Sequence, residues 1–120
     1  MKSKLLLTVL LLSSTVLFAA KGSVKTTIQR TFISNPSVFG GCMADIGRRV
    51  SAALPELDCD SYWVTFSCSG DFNSKDIAYK MYDSALMSVA LGTELLLWID
   101  DSKKHNGHCY AERVDVLVTP

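Results

Sequence analysis

Residues 62–100 read YWVTFSC SGDFN SKDIAYKMYDSALMSVAL GTELLLWID, and the hydrophobic period changes twice within them. Tyr62 to Cys68 alternates, with Val64, Phe66 and Cys68 on one face and Trp63, Thr65 and Ser67 on the other, which predicts a strand. From Ser74 the period becomes helical. Ser74 suits an N-cap, Asp76 the positive end of the helix dipole, and Gly92 a C-terminal cap. Between them Ile77, Ala78, Met81, Tyr82, Ala85 and Val89 form an i, i+3, i+4 stripe. Leu86, Met87, Ala90 and Leu91 extend the apolar surface beyond that stripe. Two readings follow: a helix lying deep in the fold, or a second contact with another subunit. Glu94 to Asp100 returns to period two, with Leu95, Leu97 and Ile99 on one face and Leu96 and Trp98 on the other. A strand apolar on both faces is central or covered from outside.

The flanks are consistent with more sheet. Upstream, Ser23 to Ser34 is rich in β-branched residues and predicts a first strand, with Val24, Thr26, Ile28 and Phe32 on one face. Asn35-Pro36-Ser37 and Gly40-Gly41 have loop chemistry. Cys42 to Ala53 predicts a second strand, with Cys42, Ala44 and Ile46 inward and Gly47 at a bulge. Pro55 to Asp60 reads as a polar connection. Downstream, Asp101 to His108 reads as a polar turn containing the favoured hairpin dipeptide Asn106-Gly107. Tyr110 to Thr119 predicts a last strand with Val114, Val116 and Val118 inward.

Three strands, one helix and a two-stranded hairpin give a mainly-β, α+β chain. The order is that of a five-stranded OB-like barrel with one helix between strands 3 and 4. An open α+β sheet with a helix on one face fits the same order. Cys42, Cys59, Cys68 and Cys109 allow three pairings and lie 17, 9 and 41 positions apart, which does not suit zinc. In the barrel, antiparallel strands two and three bring Cys42 beside Cys68. Parallel strands three and five bring Cys59 beside Cys109. The barrel therefore predicts those two disulfides.

Met1 to Ala20 has the form of a secretory signal peptide: Lys2 and Lys4, an apolar run from Leu5 to Phe18, then Ala19-Ala20. The run is shorter than the roughly 20 residues of a spanning helix. Cleavage after Ala20 is the expected processing, leaving residues 21–120 as one disulfide-stapled domain with no membrane attachment. The expected location is periplasmic or secreted. Losing Lys2 and Lys4 leaves ten basic against twelve acidic residues, a net charge of about −2. With no basic run longer than Arg48-Arg49 or Lys103-Lys104, the chain lacks the footprint of a nucleic-acid binder.

The strand ending in Cys68, the segment Ile77-Ala78-Tyr79-Lys80-Met81-Tyr82-Asp83-Ser84-Ala85-Leu86, Leu91-Gly92-Thr93 and the apolar strand after it together resemble the B subunits of pertussis-like and subtilase-type bacterial toxins. The resemblance spans roughly Cys42 to Asp100. It implies a small exported OB-fold subunit with disulfides, pentameric rings and sialylated glycans as ligands, but it carries over no sugar-binding residue. The segments Trp-Val-Thr-Phe-Ser-Cys and His-Asn-Gly-x-Cys also resemble small exported proteins of marine gammaproteobacteria, which imply no activity.

Trp63 and Trp98, on outer strand faces, are candidate stacking platforms for a glycan or anchors for a protein, or are simply covered by a loop or the helix. Met87, Leu91, Leu96 and Trp98, with Leu86, are candidate contacts for homo-oligomerisation. His105 and His108 near Asp100 and Asp101 invite a metal reading, but two histidines across a tight turn diverge, so they read as exposed loop residues. Ser67 or Ser69 with His105 and Asp100 can be written as a triad, yet nothing resembles a nucleophile elbow. The expectation is a non-enzymatic binding or assembly module without cofactor or metal. The alternative is a small periplasmic enzyme or enzyme inhibitor using the 100–108 loop.

Overall fold

The computed structural model describes residues 9–12 and 19–118. Most of the expected leader, and the last two residues of the chain, lie outside the described residues. Eight elements follow in order: β1 (Lys21–Thr26), β2 (Arg30–Ile33), β3 (Cys42–Asp45), α1 (Val50–Ala53), β4 (Trp63–Thr65), α2 (Lys75–Leu91), β5 (Leu95–His105) and β6 (His108–Val116). The strands form one sheet in the order β1-β5-β6-β4-β3-β2. Among the described residues only the β4–β6 pair is parallel. Among the described residues, no helix is long and apolar enough to cross a membrane.

The mainly-β, α+β expectation holds, but the closed five-stranded barrel does not: there are six strands in an open order. The cause is a break in the first expected strand. β1 pairs with β5 as far as Thr26↔Leu95, and β2 then pairs with β3 from Arg30↔Asp45. Between them Ile28 is buried, and its N–H is donated out of the sheet to Ser88 Oγ at 2.9 Å. β1 and β2 do not pair with each other. They are the two ends of the sheet, joined through Thr27, Ile28 and Gln29 alone.

The second expected strand is also corrected. β3 stops at Asp45, whose Oδ1 accepts the Gly47 N–H at 2.8 Å. Gly47 sits at φ +75°, so it marks a turn that a side chain would strain rather than a bulge. Val50–Ala53 then forms the short helix α1, with Val50 fully buried.

Both disulfides join the expected partners, Cys42–Cys68 and Cys59–Cys109. The first ties β3 to the segment leaving β4. The second ties the approach to β4 onto β6. All four cysteines lie in the core with Val64, Phe66, Leu95, Leu97 and Ile99. Each fully buried aliphatic or aromatic side chain contributes about 1.5–3 kcal/mol.

α2 begins and ends where its caps dictate. Ser74 Oγ accepts the Ile77 N–H at 3.3 Å, and Gly92 takes the left-handed conformation at φ +67°. Its buried face is Ala78, Met81, Tyr82, Ala85 and Ser88, whereas Ile77 and Val89 of the expected stripe are exposed. Ser88 takes the inward position because its hydroxyl serves two backbone groups, accepting from Ile28 and donating to the Thr93 carbonyl at 2.6 Å. Nor does the helix lie deep: Leu86, Val89 and Leu91 are all exposed.

The expected 101–108 turn shrinks to Asn106-Gly107, because β5 continues to His105 and pairs it with His108. Asn106 and Gly107 both have positive φ, as a two-residue type I′ turn requires. The β5–β6 ladder is irregular between Trp98 and Ile99 and again between Asp100 and Lys104. In β6, Val114 packs on the core, but Val116 is exposed, as is Val118 past the end of the strand, contrary to the expected inward row.

Candidate functional site

The alternation that sends Val64 and Phe66 inward sends Trp63 outward, onto the face of the sheet shared by β2, β3 and β4. The registers Arg30↔Asp45, Phe32↔Met43 and Asp45↔Trp63 assemble the rest of that face. Phe32 lies against Trp63 with ring centroids 5.1 Å apart. The Arg30 guanidinium sits over the Trp63 ring, 4.9 Å from its centroid. Asp45 holds that guanidinium, accepting from Nε at 3.2 Å and from Nη2 at 3.1 Å. The carboxylate is nearly buried, while the Arg30 side chain remains 68% exposed. The result is a partly exposed aromatic surface with a fixed, solvent-facing cation beside it.

Two loops extend this surface. Phe39 meets Phe32 edge-on at 5.9 Å and His108 at 5.3 Å. Phe39 is held at φ +53°, a conformation that costs a non-glycine residue about 1–2 kcal/mol. Its N–H is donated to Asn106 Oδ1 at 3.2 Å, and its carbonyl accepts from Thr65 Oγ1 at 2.9 Å. The β2–β3 loop and the β5–β6 turn are thereby locked together. His108 Nδ1 lies 2.7 Å from Ser61 Oγ, which also accepts the Trp63 N–H. Burial pushes the His108 pKa below its ordinary value, favouring the neutral ring.

Behind the turn, His105 is the other histidine and is not the exposed loop residue expected. Its ring stacks on Phe72 at 4.3 Å, and its Nε2 lies 2.9 Å from Ser67 Oγ. A Cβ at Gly40 would run into the imidazole, so that glycine permits a close approach. Ser67 has φ +58° and is fully buried, and its Oγ also accepts the Phe72 N–H at 3.2 Å. Ser69 Oγ lies 3.3 Å from Ser67 Oγ and donates to Asp71 Oδ2 at 2.9 Å. The chain His105–Ser67–Ser69–Asp71 thus joins the β5 end to the loop before α2. The carboxylate approaches Nε2, at 3.8 Å, the same nitrogen that faces the serine. A catalytic relay instead places the acid on the opposite ring nitrogen.

The remaining candidates lie elsewhere. Trp98 is on the outer face of β5, between Ser23 of β1 and Arg113 of β6. Arg113 covers its ring at 5.1 Å, and its Nε1 is a buried donor with no partner. Leu96 shares that face, two residues along β5. Met87 is half-buried and Leu91 is 74% exposed, at the end of α2. The five candidates Trp63, Trp98, Met87, Leu91 and Leu96 therefore do not form one surface. Asp100 pairs with Ser102 rather than with either histidine. Burial works to raise its pKa, but the Ser102 hydroxyl and N–H, with Lys21 and Lys103, outweigh that and hold it below the ordinary range. Among the described residues no group of histidine, cysteine, aspartate or glutamate side chains could hold a metal ion.

Sequence reasoning picked out Trp63 but missed Arg30, Phe32, Phe39 and His108 as its companions. The available signal was Phe39-Gly40-Gly41, an aromatic residue ahead of two glycines in a loop flanked by strands. Comparison with family models, with curated proteins and with solved structures finds no match to this chain.

Proposed function

We propose that the protein is an exported, non-enzymatic binding module that takes a glycan on the face formed by Arg30, Phe32, Phe39, Trp63 and His108. One observation carries this reading: a partly exposed run of rings on one sheet face, with the Arg30 donors fixed beside Trp63. Sugars present apolar C–H faces that stack on such rings, and rim hydroxyls that take hydrogen bonds from a preorganised guanidinium. A protein ligand anchored on the same aromatic residues is the neighbouring possibility. What remains of the OB-like reading takes β1 and β2 as two halves of one bent first strand, joined at Thr27–Gln29, in an open sheet rather than a closed barrel. Export is supported by two disulfides, which persist in oxidising compartments. The exposed Leu86 and Leu91 favour self-association through the end of α2.

A glycan array probed with the purified, oxidised domain tests the ligand class. Saturable binding to a defined set of glycans, weakened at least tenfold by Trp63→Ala, is the expected result. No glycan binding, with tryptophan fluorescence unchanged by any sugar, sinks the glycan reading. Multi-angle scattering tests assembly, and a strict monomer at micromolar concentration removes it.

The alternative, an enzyme built at the end of β5, draws on the 2.9 Å contact between Ser67 Oγ and His105 Nε2. Burial of Ser67, its acceptance of the Phe72 N–H and the position of Asp71 favour a structural role for this chain of hydrogen bonds. Labelling of Ser67 by a fluorophosphonate probe would revive the enzyme.

A further inference from the structure

We propose that the leader is cut at the Ala19–Ala20 bond, and that the ammonium group freed on Ala20 is received by the Asp101 carboxylate. This is one residue earlier than the cut suggested by the Ala19-Ala20 pair, and it rests on the leader reading rather than on the glycan site. Ala20 already belongs to the folded domain: it packs against the core, while Ala19 is exposed. The Ala20 nitrogen donates to Asp101 Oδ1 at 2.8 Å, and the Ala20 carbonyl accepts from the Asp101 N–H at 3.1 Å. A cut after Ala20 would discard both bonds.

Asp101 is placed for this by the irregularity in β5. Pairing passes from Asp100↔Tyr110 directly to Lys104↔Cys109, so residues 101–103 bulge out of the ladder. The bulge turns Asp101 toward the head of β1. Its other oxygen, Oδ2, accepts the Asp58 N–H at 3.1 Å, next to the Cys59–Cys109 disulfide.

Charge supplies an independent argument. The neighbouring acids each have a cation: Asp58 has Lys104 at 3.1 Å, Glu112 has Lys21 at 2.9 Å, and Asp100 has Lys21 at 3.7 Å. Among the described residues Asp101 has no cation within salt-bridge distance, and of the two backbone nitrogens it holds, Ala20 N is the one that cleavage would convert to an ammonium. Hydrolysis of the Ala19–Ala20 amide by a leader peptidase consumes one water. It leaves a carboxylate on Ala19 and an amine on Ala20, which takes up a proton at neutral pH. The existing bond from a neutral amide N–H to a carboxylate then gains a charged donor as well and becomes an ion pair, the stronger kind.

The test is to express the full chain in a Gram-negative host, purify the exported fraction, and determine its intact mass and N-terminal sequence. Ala20 as first residue is expected. Lys21 or any later residue, or an uncut chain, overturns the proposal. The α-amine is then titrated by NMR in the mature protein. It should titrate above the ordinary range of about 7.7–8.0, and Asp101→Asn should return it to that range. An ordinary value in the unsubstituted protein overturns the ion pair even if the cut is as proposed.

Discussion

Trp63 and Trp98 begin from the same arrangement and end differently. Each projects from the outer face of a strand, and each lies under an arginine, at 4.9 Å and 5.1 Å. Around Trp63, however, the neighbours are Phe32 and a loop strained at Phe39, and Asp45 holds the arginine in place. Around Trp98 the neighbours are sheet residues, Asp115 engages the arginine, and the indole N–H is buried without an acceptor. An aromatic residue under a cation is therefore not in itself a site. What separates the two is what else the backbone brings there. At Trp63 two loops and three strands converge, whereas at Trp98 the sheet only covers its own outer face.

That contrast depends on a sheet held in register by its disulfides, and breaking these should have the largest effect. Chain-entropy reasoning gives about 3.5 kcal/mol for the Cys42–Cys68 closure of 26 residues and about 4 kcal/mol for the Cys59–Cys109 closure of 50. Urea denaturation of the two double-serine variants should show both losses, with the Cys59/Cys109 pair the worse. The reverse order would mean that strain or residual structure, not loop length, governs the difference.

Trp98 comes next. If it is a covering residue, Trp98→Ala should cost roughly 2–4 kcal/mol through lost packing, whereas Trp98→Phe should stay within about 1 kcal/mol of the parent because it also removes the orphaned N–H. Denaturant midpoints measure both. A Phe variant as damaged as the Ala variant would show that the N–H has a partner after all.

The smallest effect expected is a shallow pH dependence from His108. Burial depresses its folded-state pKa below its unfolded value, so folding favours the neutral ring. The stability it contributes is full above the unfolded value of about 6.5 and is lost as pH falls toward the lowered folded value. Thermal melts between pH 7.5 and 5 should lose part of their slope in His108→Gln. An identical slope in that variant would assign the acid sensitivity elsewhere.

The contrast between the two tryptophans also marks where the sequence stops being legible. Local chemistry was readable: the Ser74 and Gly92 caps, the Asn106-Gly107 turn, and the inward rows Val64–Phe66 and Leu95–Leu97–Ile99. Readings failed where a distant group intervened. Nothing near Ile28 announces that its N–H will be taken by Ser88, 60 residues on, and so break the first strand. Nothing near His105 announces Ser67 and Phe72, which bury a histidine that looks like a loop residue. The companions of Trp63 were hidden for the same reason, since strand register and loop docking decide them.

The most direct test places Trp63→Ala and Trp98→Ala side by side, with glycan binding and thermal melting measured on the same preparations. We expect Trp63→Ala to lose binding at least tenfold while remaining folded, and Trp98→Ala to melt earlier while the folded fraction still binds. Equal binding losses in both variants, or a Trp63→Ala protein that binds as the parent does, would contradict the assignment of the Trp63 face as the site.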